Sequence, residues 1–162
     1  SFVQIVKSNI VKDVLENIER YSAANNHYVF EITETIEMDQ IPAVQNVFKE
    51  FVKNDFRFAI DDFGTGYSNY GYMRDRTFDI VKVDRSFVTD IDKLKDNYLM
   101  VSFIIKMAHE MGLHVCIEGV ETKEELSCVK KLGADYIQGY YYGKPVCLQD
   151  FEEQHLKRFV LG

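Results

Sequence analysis

Short apolar runs alternate along the chain with segments whose apolar residues recur every three or four positions. No other feature narrows the possible folds as much. The runs YVFEI (28–32), FRFAI (56–60), FDIVKV (78–83), LHVCI (113–117) and ADYIQ (134–138) are rich in β-branched and aromatic residues. They predict buried strands, because such side chains pack well on a pleated surface. Between them lie helical stripes: Val11, Val14, Leu15 and Ile18, then Val44, Val47, Phe48 and Phe51. The clearest runs through Leu94, Tyr98, Val101, Ile104, Ile105, Ala108 and Met111. Leu126, Val129 and Leu132 follow, with Gly133 in the position of a helix stop, and Leu148, Phe151, His155 and Phe159 predict a last amphipathic helix. Strand and helix in strict alternation is the signature of parallel βαβ units. With no repeat, no low-complexity tract and only two prolines, the chain reads as one α/β domain.

Composition then excludes several kinds of function. An apolar share of 46% over 162 residues is enough for a packed core and too much for a disordered chain. The net charge of -7 argues against wrapping DNA or an anionic membrane. No apolar run approaches the roughly 20 residues of a membrane span, and SFVQIVKSNIVKD lacks the layout of a signal peptide. A cytoplasmic location is therefore expected. Cys116, Cys128 and Cys147 form no Cys-x-x-Cys pair and read as reduced thiols. HEMGLH (109–114) has one residue too many for a His-Glu-x-x-His zinc motif, and Gly112 is placed to end the helix before the second histidine.

The strand ends carry the chemistry. Glu31 lies in the first run, Asp61 and Asp62 close the second, and Lys82 and Asp84 belong to the third. The fourth leads into Glu118 and the fifth into Gln138. In a (β/α)8 barrel or a doubly wound sheet, the C-terminal strand ends converge on one face, where sites are built. One such residue alone reads as a cap for a strand or helix, but five in series read as a site. Glu31, Asp61, Asp62 and Glu118 form a cluster of acids with Lys82 as the evident counter-charge. Divalent cations relieve the repulsion of such a cluster, and two of them held roughly 3.5–4 Å apart suit in-line phosphoryl chemistry. Glycoside hydrolases also place acids at strand ends, and enolase-type lyases also combine a lysine with a metal. Spacing alone leaves these three open.

EITET at Glu31, AIDDFGTGYS at Asp61, VKVDRSFV at Lys82, CIEGVET at Glu118 and YIQGYYYGKPV at Gln138 occur in that order. Together they resemble the EAL-domain family of bacterial cyclic-di-GMP phosphodiesterases. The resemblance implies a (β/α)8 TIM-like barrel that hydrolyses cyclic di-GMP to pGpG with two Mg²⁺ or Mn²⁺ ions. It implies that Glu31 ligates the first metal, Asp61 bridges both, and Asp62 ligates the second. Lys82 matches the lysine beside the attacking water, supported by Asp84. Glu118 matches the glutamate that handles the second metal and acts as general base. Glu121 and Gln138 match further active-site positions. Glu34 matches the anchor of the loop Phe63–Ser68, which in the family couples metal binding to dimerisation. A homodimer is expected accordingly, with Tyr67, Tyr70 and Tyr72 near that loop. An upstream sensor or GGDEF domain is a further expected partner.

Two departures qualify the match. Ile117 stands where the family usually has alanine. The chain has no Glu-Ala-Leu stretch, which names the family, and the asparagine of the next strand would fall just upstream of Ser1. Residues 1–162 are therefore expected to be the C-terminal two-thirds of a single EAL domain, with about five of the eight barrel strands and impaired or no activity alone. The alternative is a degenerate EAL module that binds cyclic di-GMP or a protein partner without cutting.

Overall fold

A computed structural model describes residues 10–19, 28–33, 42–65 and 77–153. Glu34, the loop beyond Thr65 with its three tyrosines, and the end of the last predicted helix with His155 and Phe159 lie outside the described residues. The elements are α1 (Ile10–Glu19), β1 (Val29–Thr33), α2 (Pro42–Lys53), β2 (Arg57–Phe63) and β3 (Ile80–Val83). A 3-10 turn (Arg85–Phe87), α3 (Lys95–Glu110), β4 (His114–Ile117), α4 (Lys123–Leu132), β5 (Tyr136–Ile137) and a short α5 (Leu148–Phe151) follow.

All strand pairs are parallel, and the sheet order is the chain order, β1-β2-β3-β4-β5. That order decides between the two architectures the sequence allows. A doubly wound sheet reverses direction at a switch point, whereas a barrel adds each strand beside the last. No reversal occurs here, so the described sheet is part of a (β/α)8-type barrel, with β1 and β5 as its edges. Among the described residues no helix is long and apolar enough to cross a membrane.

Alternation along the strands sorts side chains between two faces. Phe58, Ile60, Val81, Val83, Val115 and Ile117 turn to one face and join the core with the helices. Phe58 packs within 4.7 Å of Phe48 on α2 and 5.7 Å of Phe30 on β1, measured between ring centroids. The other face, with Glu31, Ala59, Lys82 and Cys116, lines an open cleft. Helix α3 buries Val101, Ile104, Ile105 and Ala108 as its spacing predicts. The ends of that stripe behave differently, since Leu94, Tyr98 and Met111 are exposed. Strand β5 is also shorter than the five residues expected.

Helix α4 shows how local sequence sets boundaries. Thr122 and Glu125 form a reciprocal capping box at its start, and Gly133 ends it in the left-handed region at φ 90°. No heavy atom lies within 4 Å of a Cβ added there, so Gly133→Ala would meet backbone strain alone. The expected cost is about 1–2 kcal/mol, read as a lower urea midpoint. An unchanged midpoint would show that the helix end relaxes to another conformation.

Gly112, at φ 79°, likewise follows α3 and separates its last turn from β4. His109 and His114 therefore belong to different elements, and both face Asp135. His109 Nε2 lies 2.8 Å from Asp135 Oδ2 and His114 Nδ1 lies 3.5 Å from Oδ1. Asp135 Oδ2 also accepts the Val115 N–H at 2.7 Å. Burial alone would raise the Asp135 pKa, but these hydrogen bonds hold it below the usual carboxylate value. The histidine pair that resembles a zinc motif ties α3 and β4 to the start of β5.

Candidate active site

Parallel pairing brings the strand ends together. Thr33 pairs with Asp61 and Glu31 with Ala59 across β1 and β2, and Lys82 pairs with Cys116 across β3 and β4. The Glu118 N–H donates to the Val83 carbonyl at 3.1 Å, which continues the ladder past the end of β4. Gln138 is placed the same way, its N–H donating to the Ile117 carbonyl at 2.8 Å.

Successive residues of a regular strand point to opposite faces, so adjacent aspartates would not serve one site. A bulge resolves this. The β2–β3 register runs from Ile60 opposite Val81 to Phe63 opposite Val83, three steps on one strand against two on the other. Asp62 takes a left-handed backbone at φ 56°, a conformation aspartate tolerates better than most residues. Its carbonyl accepts the Thr65 N–H at 3.2 Å and the Thr65 hydroxyl at 2.8 Å. Asp61, Asp62 and Glu118 consequently each offer an oxygen within 4.8 Å of the others.

Lys82 stands at the centre. Its side chain is only 7% exposed, and its Nζ lies 2.7 Å from Glu31, 2.9 Å from Asp61 and 2.7 Å from Glu118. Burial by itself would lower the lysine pKa. Contacts with the Glu118, Glu31 and Asp61 carboxylates outweigh that and raise it above the ordinary value, so the ammonium stays charged. Glu31 joins the three-acid set through this ammonium. Beneath it, the Cys116 thiol is pushed up to about 11, first by burial and then by the Glu118 charge. It is therefore a neutral wall of the cleft and not a thiolate nucleophile.

The remaining sequence candidates take other places. Asp84 accepts the Ser86 N–H at 2.9 Å and caps the 3-10 turn, apart from the carboxylates on Lys82. Burial would raise its pKa, but the Ser86 hydrogen bond lowers it. Glu121 is exposed just before α4, and its N–H donates to Glu125 at 2.9 Å. Gln138 lines the cleft beside Glu31 and Lys82. Sequence reasoning passed over Glu125, which is 6% exposed. Besides closing its capping box, it accepts the Asp90 N–H at 3.2 Å and so joins the loop after β3 to the loop after β4. The Thr-x-x-Glu spacing was the signal available for it.

The donor set fits a hard divalent cation. It consists of oxygen donors alone, converging at the mouth of a cleft. Asp61 Oδ1 is fully buried and takes no well-directed hydrogen bond from the described residues, its neighbour being the Lys82 ammonium. Such an atom is suited to a metal ligand, because a cation needs no particular hydrogen-bond direction.

The chain is similar to known proteins along most of its length. A family model described as the EAL domain matches residues 2–145. The probable cyclic di-GMP phosphodiesterase PdeA of Escherichia coli (strain K12) is 34% identical over 146 residues, or 90% of this chain and 20% of PdeA. The crystal structure of the EAL domain of Mycobacterium smegmatis DcpA superposes with a TM-score of 0.87 and 28% identity. That match covers 97% of this chain and 70% of the other. The Klebsiella pneumoniae BlrP1 manganese/cy-diGMP complex superposes with a TM-score of 0.75 and 28% identity, over 83% of this chain and 34% of that one. The chain spans 17% to 23% of the length of four curated relatives it matches.

Proposed function

The chain belongs to the EAL domain family, and on that premise we propose that it carries the metal-binding part of a domain hydrolysing cyclic di-GMP to pGpG. The observation that carries this reading is the convergence of Glu31, Asp61 and Glu118 on the Lys82 ammonium, with Asp62 beside Asp61 and Glu118, at the C-terminal mouth of a parallel sheet. The names of PdeA and of the BlrP1 complex support the substrate, and the manganese in the latter supports the metal.

Glu31 and Asp61 would hold one Mg²⁺ or Mn²⁺ ion, and Asp61, Asp62 and Glu118 would hold a second. When bound, they lower the pKa of a water and neutralise charge on the phosphate. Glu118 accepts the proton that the attacking water gives up. Oxygen from that water forms the new bond to phosphorus, the bond to the 3′ oxygen breaks, and that oxygen takes a proton from solvent while Glu118 returns its own to solvent. Lys82 keeps its proton and donates to a phosphate oxygen as charge builds there. Asp84 serves Lys82 indirectly, by fixing the turn that follows it, and Gln138 and Glu121 flank the substrate.

Residues 1–162 then form the C-terminal two-thirds of one domain in a bacterial cytoplasmic signalling protein, joined upstream to a sensor or GGDEF domain. The place of β1 and β5 as the outer strands of the described sheet and the 70% coverage of the DcpA domain support this. A sheet edge left open in the whole chain would favour a homodimer. Light scattering on the purified chain tests it, and a single monomeric species at micromolar concentration would argue against assembly.

The function is tested by following pGpG release by chromatography. A complete domain is expected to turn over with Mn²⁺ and to stop when a chelator is added. The 162-residue chain alone is expected to be at least about 100-fold slower, since lost ligands misplace the water. Binding without turnover by the complete domain would favour the non-catalytic module, and equal rates for domain and fragment would refute the incomplete-site reading.

A further inference from the structure

The loops above the sheet touch through their glycines. A Cβ added to Gly64 would lie 2.8 Å from the Phe87 ring. One added to Gly119 would run into the Arg85 side chain, and one on Gly139 would run into the Val120 backbone. Two of these contacts share the 3-10 turn after β3. Phe87 presses on the loop two residues beyond Asp62, and Arg85 presses on the residue directly after Glu118.

The turn is braced from behind. Asp84 caps it through the Ser86 N–H, and the Phe87 N–H donates to the Asp84 carbonyl at 3.1 Å. Asn97, in the first turn of α3, donates to the Thr89 carbonyl at 3.1 Å and the Ser86 carbonyl at 3.4 Å. Glu125 holds Asp90 from the side of α4. Asp62 meanwhile keeps a left-handed backbone, which persists in a non-glycine residue only where its surroundings hold it.

We propose that the Arg85–Phe87 turn is a positioning element for the metal site, in which the Phe87 ring holds Gly64 so that the Asp62 carboxylate stays beside those of Asp61 and Glu118. The inference rests on the metal-binding reading above and extends it to residues that touch neither ion nor substrate. Rotation of Asp62 out of its left-handed conformation would carry its carboxylate away from the other two acids. Arg85 acts on the opposite side, where its contact with Gly119 limits how far the Glu118 loop can move.

The test is Mn²⁺ binding by the full 162-residue chain, read from the electron paramagnetic resonance signal of free Mn²⁺ well below the melting temperature. Phe87→Ala is expected to weaken binding by about tenfold or more, the usual cost of removing a group that orients a ligand. Gly64→Ala should do the same by pushing the loop from the other side, and it remains informative if the first variant fails to fold. Phe87→Leu, which keeps apolar bulk against Gly64, should retain most of the affinity. Leu132→Ala, at the far end of α4, should lower the melting temperature without changing Mn²⁺ affinity. Unchanged binding in folded Phe87→Ala or Gly64→Ala overturns the proposal, and so does equal weakening in Leu132→Ala. No binding by the unmodified chain would instead remove the metal site itself and this inference with it.

Discussion

Replacing Asp61 by asparagine in the complete domain is expected to abolish cyclic-di-GMP hydrolysis, with a loss of at least about 100-fold, the upper range for disturbing a ligand's support. The position belongs both to the three-acid set and to the ion pairs of Lys82. Asp61 shares a three-oxygen set with Asp62 and Glu118, and its buried Oδ1 lies 2.9 Å from the Lys82 ammonium. An amide keeps the shape but removes the charge, and if its NH2 group faces Lys82 two donors oppose each other. Rotating the amide to avoid this turns the donor toward the metal position. Either way the site loses an anionic ligand. Turnover within tenfold of the unmodified domain would refute the bridging role given to Asp61, and a Mn²⁺ titration of the same variant separates lost metal from misplaced water.

The second large effect concerns Lys82. Lys82→Met keeps volume but removes the cation on which Glu31, Asp61 and Glu118 converge. Breaking a buried ion pair from one side costs about 3–5 kcal/mol. The low end, about 3 kcal/mol, is expected because the Glu31 side chain is half exposed and loses little by being left unpaired. The direction with pH follows from the raised folded pKa of Lys82. A raised pKa contributes stability that is fully present below the ordinary lysine value and fades only as pH climbs through the folded one. The deficit of the variant should therefore be full at neutral pH and shrink in strong alkali. Mn²⁺ should restore part of it at neutral pH by supplying the missing positive charge. Urea unfolding at neutral pH, with and without Mn²⁺, measures both. A variant as stable as the parent would mean that the acids separate or protonate at no cost. In the complete domain, the same substitution should lower kcat more than it raises KM, because the phosphate gains charge only on the way to the transition state.

Each strand and helix was legible because its signal is local. Alternating β-branched and aromatic residues mark Val29–Thr33 and Arg57–Phe63, and a 3.6-residue rhythm marks Lys95–Glu110. Capping residues announce the ends, as Thr122, Glu125 and Gly133 do for α4. The strand-end acids were legible for the same reason, since a parallel sheet has its C-terminal ends on one face. Where the sequence misled, the local signal was incomplete. Tyr98 and Met111 continue the α3 stripe in spacing, but the positions they occupy face outward. The strand at ADYIQ lasts two residues: the Gln138 N–H still bonds across to Ile117, but its neighbour Gly139 lies against the Val120 backbone.

By itself, then, the sequence determined an alternating α/β domain, an acidic cluster with one lysine, and membership of a family through five motifs in order. Tertiary structure alone decided how those parts meet. The sequential strand order chose a barrel segment over a doubly wound sheet. A bulge between β2 and β3 set Asp61 and Asp62 to work on the same site. Three strands brought their acids within 2.9 Å of one ammonium, and glycines let the loops close on the Arg85–Phe87 turn. The reason is that periodicity is a property of one segment, whereas register, ion pairing and loop contact are properties of two segments at once.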